Sequence, residues 1–260
     1  MWIDRRELLA AVTSFLAAPV DSVQAQSSRQ RLRAVAFDGL AIFDTRRTLA
    51  LAESAFPGRG AELLDVWRAR QLDYQWIRVA GSKYADFMQV TSDSLEFAVR
   101  ALRLELPANV RAALLGVYLA LDAWPDAKIA LRSLKESGLR LGLLSNMTQS
   151  MLNGGIDHAG LRGLFDFVLS TNEVMSFKPA KRAYVLASTA LGLPSDSILF
   201  VASAGWDVAG AKWYGYPTYW VNRSAAPEEV FDVAADGVGR DFSDLLTFIA
   251  HDDSFSGRAP

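Results

Sequence analysis

A doubly wound α/β fold, with a parallel sheet covered by helices on both faces and a helical insert after the first strand, is what three observations predict. Short apolar runs alternate with stretches of helical periodicity. Each run is about strand length and apolar on both faces, as in a sheet buried between helices. Polar residues gather where the runs stop.

The runs come in order. "AVAF" (34–37) ends at Asp38, and "LRLGLLSN" (139–146) ends at Ser145 and Asn146. "FDFVLS" (165–170) ends before Thr171, "SILFVAS" (197–203) ends shortly before Trp206 and Asp207, and "PTYWVNR" (217–223) closes the series. Helices are expected from Asp126 to Ser137 with Gly138 beyond the end, after Asn146 to near Gly160, and from Pro179, as a first-turn residue, to about Leu191. Residues 46–124 break the alternation. "AELLDVWRARQLDYQWIRVA" (61–80), "YADFMQVTSDSLEFAVRAL" (84–102) and "PANVRAALLGVYLAL" (107–121) all place apolar residues three and four apart, as helices do. The expected layout is a core built from residues 31–45 and 125–250, a helical cap over 46–124 and a frayed tail over 251–260.

Composition narrows the class. The chain has 260 residues, 51% hydrophobic and 22% charged, with a formal net charge of −2, so nothing points to nucleic acid. It has no cysteine, which excludes thiolate metal sites, cysteine nucleophiles and disulfides. At the N-terminus, Arg5-Arg6, an apolar run from Leu8 to Val20 and then Val23-Gln24-Ala25 resemble a twin-arginine export signal cut after Ala25. That predicts a periplasmic protein with residues 1–25 removed and no membrane span in the mature chain. The alternative is an N-terminal helix on a cytoplasmic protein.

In a doubly wound sheet, functional groups collect beyond the carboxyl ends of the strands. A lone acid such as Asp38 is a weak signal there. It gains weight from Ser145-Asn146 at a second strand end, Lys178 at a third connection and Asp207 after a fourth. Together they set both charge signs in one cleft.

This order, with a helical insert after the first Asp, resembles the haloacid dehalogenase superfamily. "AFPGRGAELLDVWRARQLDYQWIR", "LLSN", "HAGL", "FKPAKRAY" and "ILFVASAGWDVAGAKWYGYPTYWVNR" look like its L-2-haloacid dehalogenases, over roughly residues 34–250. The metal-dependent phosphatases of the superfamily carry a second Asp two residues after the first, and here that position is Leu40. Asp207 is followed by Val208, not by another acid. The resemblance therefore implies no metal and no cofactor, a small halogenated carboxylic acid as substrate, and hydrolytic conversion of (S)-2-haloacids to (R)-2-hydroxyacids. A homodimer is left open.

The resemblance also implies roles. Asp38 would displace halide from carbon and form an ester, which water then hydrolyses. Lys178 would keep Asp38 ionised. Arg68 would receive the halide with help from Asn146. Ser145 would bond the substrate carboxylate or Asp38, and Asp207 would orient the water. Tyr184 would support Lys178, and Leu72, Phe87 and Trp206 would form an apolar pocket. Each has a plainer reading. Arg68 can be a solvated helix arginine, Leu72 and Phe87 cap core, Tyr184 helix packing and Trp206 sheet core. His158 reads as structural.

Several positions depart from the family pattern. Its Thr in the loop after the nucleophile falls at Ala41 or Ile42. Its Ser and Asn before Trp-Asp are Ala202 and Ala204, and its Gly after Ser-Asn is Met147. Losing one donor to a developing oxyanion costs about 10²–10³ in rate. The expectation is that ester formation survives better than ester hydrolysis. A related hydrolase acting on another small acid, or an exported member kept for binding, are the alternatives.

Overall fold

The computed structural model describes residues 32–251, so the expected export signal and the tail beyond His251 lie outside the described residues. Six strands form one parallel sheet: β1 (Ala34–Phe37), β4 (Arg140–Ser145), β5 (Phe167–Ser170), β6 (Ile198–Ala202), β7 (Thr218–Val221) and β8 (Gly237–Gly239). Their spatial order is β5-β4-β1-β6-β7-β8, with every neighbouring pair parallel. The first strand is thus central. The chain builds outward to β4 and β5, then crosses back to lay β6 on the other side. This reversal opens a crevice at the carboxyl ends of β1, β4 and β6. The two remaining strands, β2 (Phe43–Asp44) and β3 (Asp122–Ala123), form a two-residue antiparallel ribbon where the chain leaves and re-enters the core.

Ten α-helices are described: α1 (Gly39–Ile42), α2 (Arg46–Ala55), α3 (Gly60–Ala80), α4 (Phe87–Ala101), α5 (Ala108–Gly116), α6 (Ala127–Glu136), α7 (Gln149–His158), α8 (Lys181–Leu191), α9 (Gly205–Tyr214) and α10 (Phe242–His251). Side-chain alternation along β1 shows how the sheet is sandwiched. Val35 and Phe37 face one buried cluster, where Phe37 meets the ring of Phe242 on α10 edge-on. Ala34 and Ala36 face the other, with Tyr184 of α8 and Val208 of α9. The small residues admit the bulky aromatics Tyr184, Phe200 and Tyr216 on that side.

Local chemistry sets the helix ends. Gly138, at φ 86°, follows α6 in the left-handed conformation, and the Leu139 N–H reaches back to the Leu134 carbonyl. The helix expected to follow Asn146 begins at Gln149, where the Thr148 hydroxyl accepts the Met151 N–H. Pro179 is not a first-turn residue: α8 begins at Lys181, behind an extended Ala180. The segment from Tyr84 becomes helical only at Phe87, after Asp86 accepts the Gln89 N–H. Two elements carried no clear signal. β8 is three residues with glycine at both ends, and the β2–β3 ribbon is too short for alternation to show.

Helices α2–α5 pack over the crevice. The Trp67 indole on α3 donates to the Thr91 carbonyl on α4. The Trp76 indole reaches the Lys178 carbonyl of the core, and the Tyr84 hydroxyl reaches Asn172. No described helix is long and apolar enough to cross a membrane.

Candidate active site

Between these helices and the strand ends lies a cavity of about 300 Å³. Asp38 sits in its floor, immediately after β1, extended at φ −63° and ψ 143°. Its residue exposure is only 7%. Burying a carboxylate this far demands compensation, and three donors supply it. Lys178 Nζ lies 2.7 Å from Oδ1. The Leu40 N–H (3.1 Å) and the Ser203 hydroxyl (2.7 Å) both donate to Oδ2. Gly39 makes room for the floor: a Cβ there would stand 2.6 Å from Ser145 Oγ.

Lys178 is 1% exposed and bridges two acids, with Nζ 2.6 Å from Asp207 Oδ2. Its ammonium occupies the space between the carboxylates. Asp207, also 1% exposed, accepts the Tyr184 hydroxyl on Oδ1 at 2.6 Å. One cation faces two buried acids, so one acid must be the weaker. Burial pushes Asp207 up to about 6, aided by the charge on Asp38 and opposed by Lys178 and Tyr184. Burial alone would lower Lys178, but the two carboxylates outweigh it and raise it. Burial beside Asp207 holds the Tyr184 hydroxyl well above its ordinary value, so it stays a donor.

The cap contributes one face of α3. Arg68, Gln71, Leu72 and Gln75 line the cavity at helical spacing, joined by Phe87 from α4 and Tyr118 from the turn after α5. Arg68 is exposed, and its guanidinium donates to Thr45 Oγ1 at 3.1 Å. Asn146 ties the two sides together. One amide N–H goes to Gln75 Oε1 (2.7 Å), and its carbonyl oxygen accepts the Lys178 N–H (2.8 Å) and the Thr171 hydroxyl (3.3 Å). The second amide N–H is available to an anion.

Of the residues singled out from sequence, Asp38, Arg68, Leu72, Phe87, Ser145, Asn146, Lys178 and Trp206 all line this cavity. Asp207 and Tyr184 do not. They stand behind Lys178, so Tyr184 is no substrate contact, and it supports Lys178 only through Asp207. Both Asp207 oxygens are already bonded within the core, so the structure shows no Asp207 contact into the cavity. Ser145 accepts the Met147 N–H and makes no bond to Asp38 among the described contacts. His158 pairs with Asp122 at the ribbon, far from any catalytic partner.

The departures acquire physical meaning. Ala41 and Ile42 are fully buried in the main core, so neither position offers a side-chain donor to the Asp38 carboxylate. The loop hydroxyl that does reach the cavity is Thr45, and it holds Arg68. Ala202 faces the α8–α9 cluster, whereas Ala204 lines the cavity and leaves α9 without a side-chain cap. Met147 is buried and lines the wall beside Gly39.

A family model described as a haloacid dehalogenase-like hydrolase matches residues 21–215. The chain belongs to that family. Among relatives, an (S)-2-haloacid dehalogenase of Pseudomonas sp. (strain YL) is 42% identical over 194 residues, covering 74% of this chain and 84% of the relative. Haloacetate dehalogenase H-2 of Moraxella sp. (strain B) is 33% identical, covering 75% and 87%. The solved L-2-haloacid dehalogenase of Xanthobacter autotrophicus with chloropropionic acid covalently bound is 32% identical, with a TM-score of 0.78 over 85% of this chain and 99% of that one. Sequence reading of this family member overlooked Ser203, Thr45, Gln75 and Tyr118. Ser203 alone carried a signal, as a hydroxyl just past a strand end.

Proposed function

We propose that this chain hydrolyses the carbon–halogen bond of small (S)-2-haloacids through an ester on Asp38. The observation that carries the reading is the placement of a buried, lysine-held carboxylate across one cavity from an arginine with no carboxylate partner among the described residues. An Asp38 oxygen attacks the halogen-bearing carbon from behind, forming the C–O bond as the C–X bond breaks. The halide leaves with the electron pair toward Arg68 and the second Asn146 N–H. Leu72, Phe87 and Trp206 keep the nucleophile from being solvated, which makes it a better nucleophile toward carbon. Water then cleaves the ester and frees a hydroxyacid. The names of the relatives support the substrate class. Ala204 brings no polar group to the cavity wall, which fits hydrolysis as the slower half-reaction.

Halide release from (S)-2-chloropropionate is the test. It should be catalytic in the wild type and fall at least about 10⁴-fold in Asp38→Asn. Equal release by the two proteins overturns the reading. The N-terminal motif supports periplasmic export, and sequencing the mature protein's first residues checks it: a chain starting at Gln26 is expected, and one starting at Met1 or Trp2 refutes it.

A further inference from the structure

We infer that Ser203 and the Leu40 N–H form the oxyanion site for hydrolysis of the Asp38 ester. The inference rests on the dehalogenase reading above and adds a residue to it. The two Asp38 oxygens are not equivalent. Oδ1 faces only the Lys178 ammonium, whereas Oδ2 receives two neutral donors, a hydroxyl at 2.7 Å and a backbone N–H at 3.1 Å. Oδ1 is the attacking atom, and Oδ2 remains as the ester carbonyl.

Water then adds to the Asp38 Cγ, and the C=O π pair moves onto Oδ2, where the two donors already point. Collapse restores the carbonyl and breaks the Cγ–Oδ1 bond. Oδ1 leaves as the hydroxyl oxygen of the product and takes one proton. The second water proton goes to solvent, and Asp38 returns as a carboxylate. No oxidant or cofactor is needed.

The fold explains why Ser203 does this work. Ala202 ends β6 with its methyl in the α8–α9 cluster, so the next residue, Ser203, turns toward the cavity floor. A hydroxyl at 202 would face away from the cavity. The short α1 turn, with Ala41 and Ile42 packed inward, brings no hydroxyl of its own to Oδ2.

The test is rapid-quench kinetics of halide release with mass analysis of Asp38, on wild type, Ser203→Ala and Ser203→Thr. The wild type should show a burst followed by a slower steady phase. Ser203→Ala should keep the burst rate within about twofold, accumulate the ester, and lose about 10²-fold in the steady phase. Ser203→Thr, which keeps the hydroxyl, should regain most of that loss. An unchanged steady phase in Ser203→Ala, or a burst that falls as far as the steady phase, overturns the inference. No halide and no adduct in the wild type would instead overturn the dehalogenase reading itself.

Discussion

The two walls of the cavity are built on opposite principles. The core wall carries Asp38 and Lys178, backed by Asp207 and Tyr184 in one buried chain with successive contacts of 2.6–2.7 Å. The cap wall presents Arg68, itself exposed, tethered among the described residues by one hydrogen bond to Thr45. Charge that must be ready before the reaction is fixed in the core by packing and low dielectric, where preorganised groups act most strongly. In the proposed reaction, charge that arises only as halide departs would be met by a side chain free to adjust. The difference predicts that core substitutions cost both fold and chemistry, while cap substitutions cost chemistry alone.

The largest effect falls on the core. Lys178→Met leaves Asp38 and Asp207 buried with no cation between them, so urea denaturation should show a loss of about 3–5 kcal/mol together with loss of halide release. Adding Asp207→Asn should recover part of the stability and none of the activity. If Lys178→Met unfolds at the wild-type urea concentration, the core wall is not under the electrostatic load described here.

Arg68→Gln probes the other wall. Being exposed, the substitution should shift stability by no more than about 0.5 kcal/mol. Halide release should still fall about 10²-fold, since a partner for the departing anion is removed. Wild-type turnover in Arg68→Gln would show that the cap arginine belongs to solvent.

A third substitution sharpens the comparison through pH. The folded-state value of Asp207, about 6, exceeds the ordinary aspartate value of 3.8. Between those values the folded chain binds the proton that the unfolded chain releases. Asp207 therefore favours the fold at low pH, and this contribution fades as pH rises from about 4 through 6. Across that window it amounts to roughly 3 kcal/mol. Melting temperatures from pH 4 to 7 should show this slope in the wild type and its loss in Asp207→Asn. Parallel curves would mean that Lys178 already balances both acids.

Much of this layout was readable in the sequence because it depends on short-range pattern. Apolar runs that stop at polar residues marked the strand ends, and the sheet order then brought Asp38, Ser145, Asn146 and Lys178 together. What stayed hidden depends on distant pairing. Ser203 lies 165 positions from the Asp38 it bonds, and Gln75 lies 71 from Asn146. Gln75 reads as one more polar residue of α3 until the cap packs on the core, and Ser203 carried no mark beyond its place just past a strand end. The positions of Tyr184 and Asp207 behind Lys178 stayed hidden for a related reason. Spacing puts both near Lys178, but only the packing of α8 on α9 shows that they stand behind it.

The account depends most on covalent attack by one buried oxygen. The direct measurement is peptide mass analysis of Asp38 after acid quenching of the wild type during turnover of (S)-2-chloropropionate. A 1-carboxyethyl ester on Asp38, absent when the substrate is withheld, is the predicted result. Halide release with Asp38 unmodified at every quench time, and undiminished in Asp38→Asn, would contradict it.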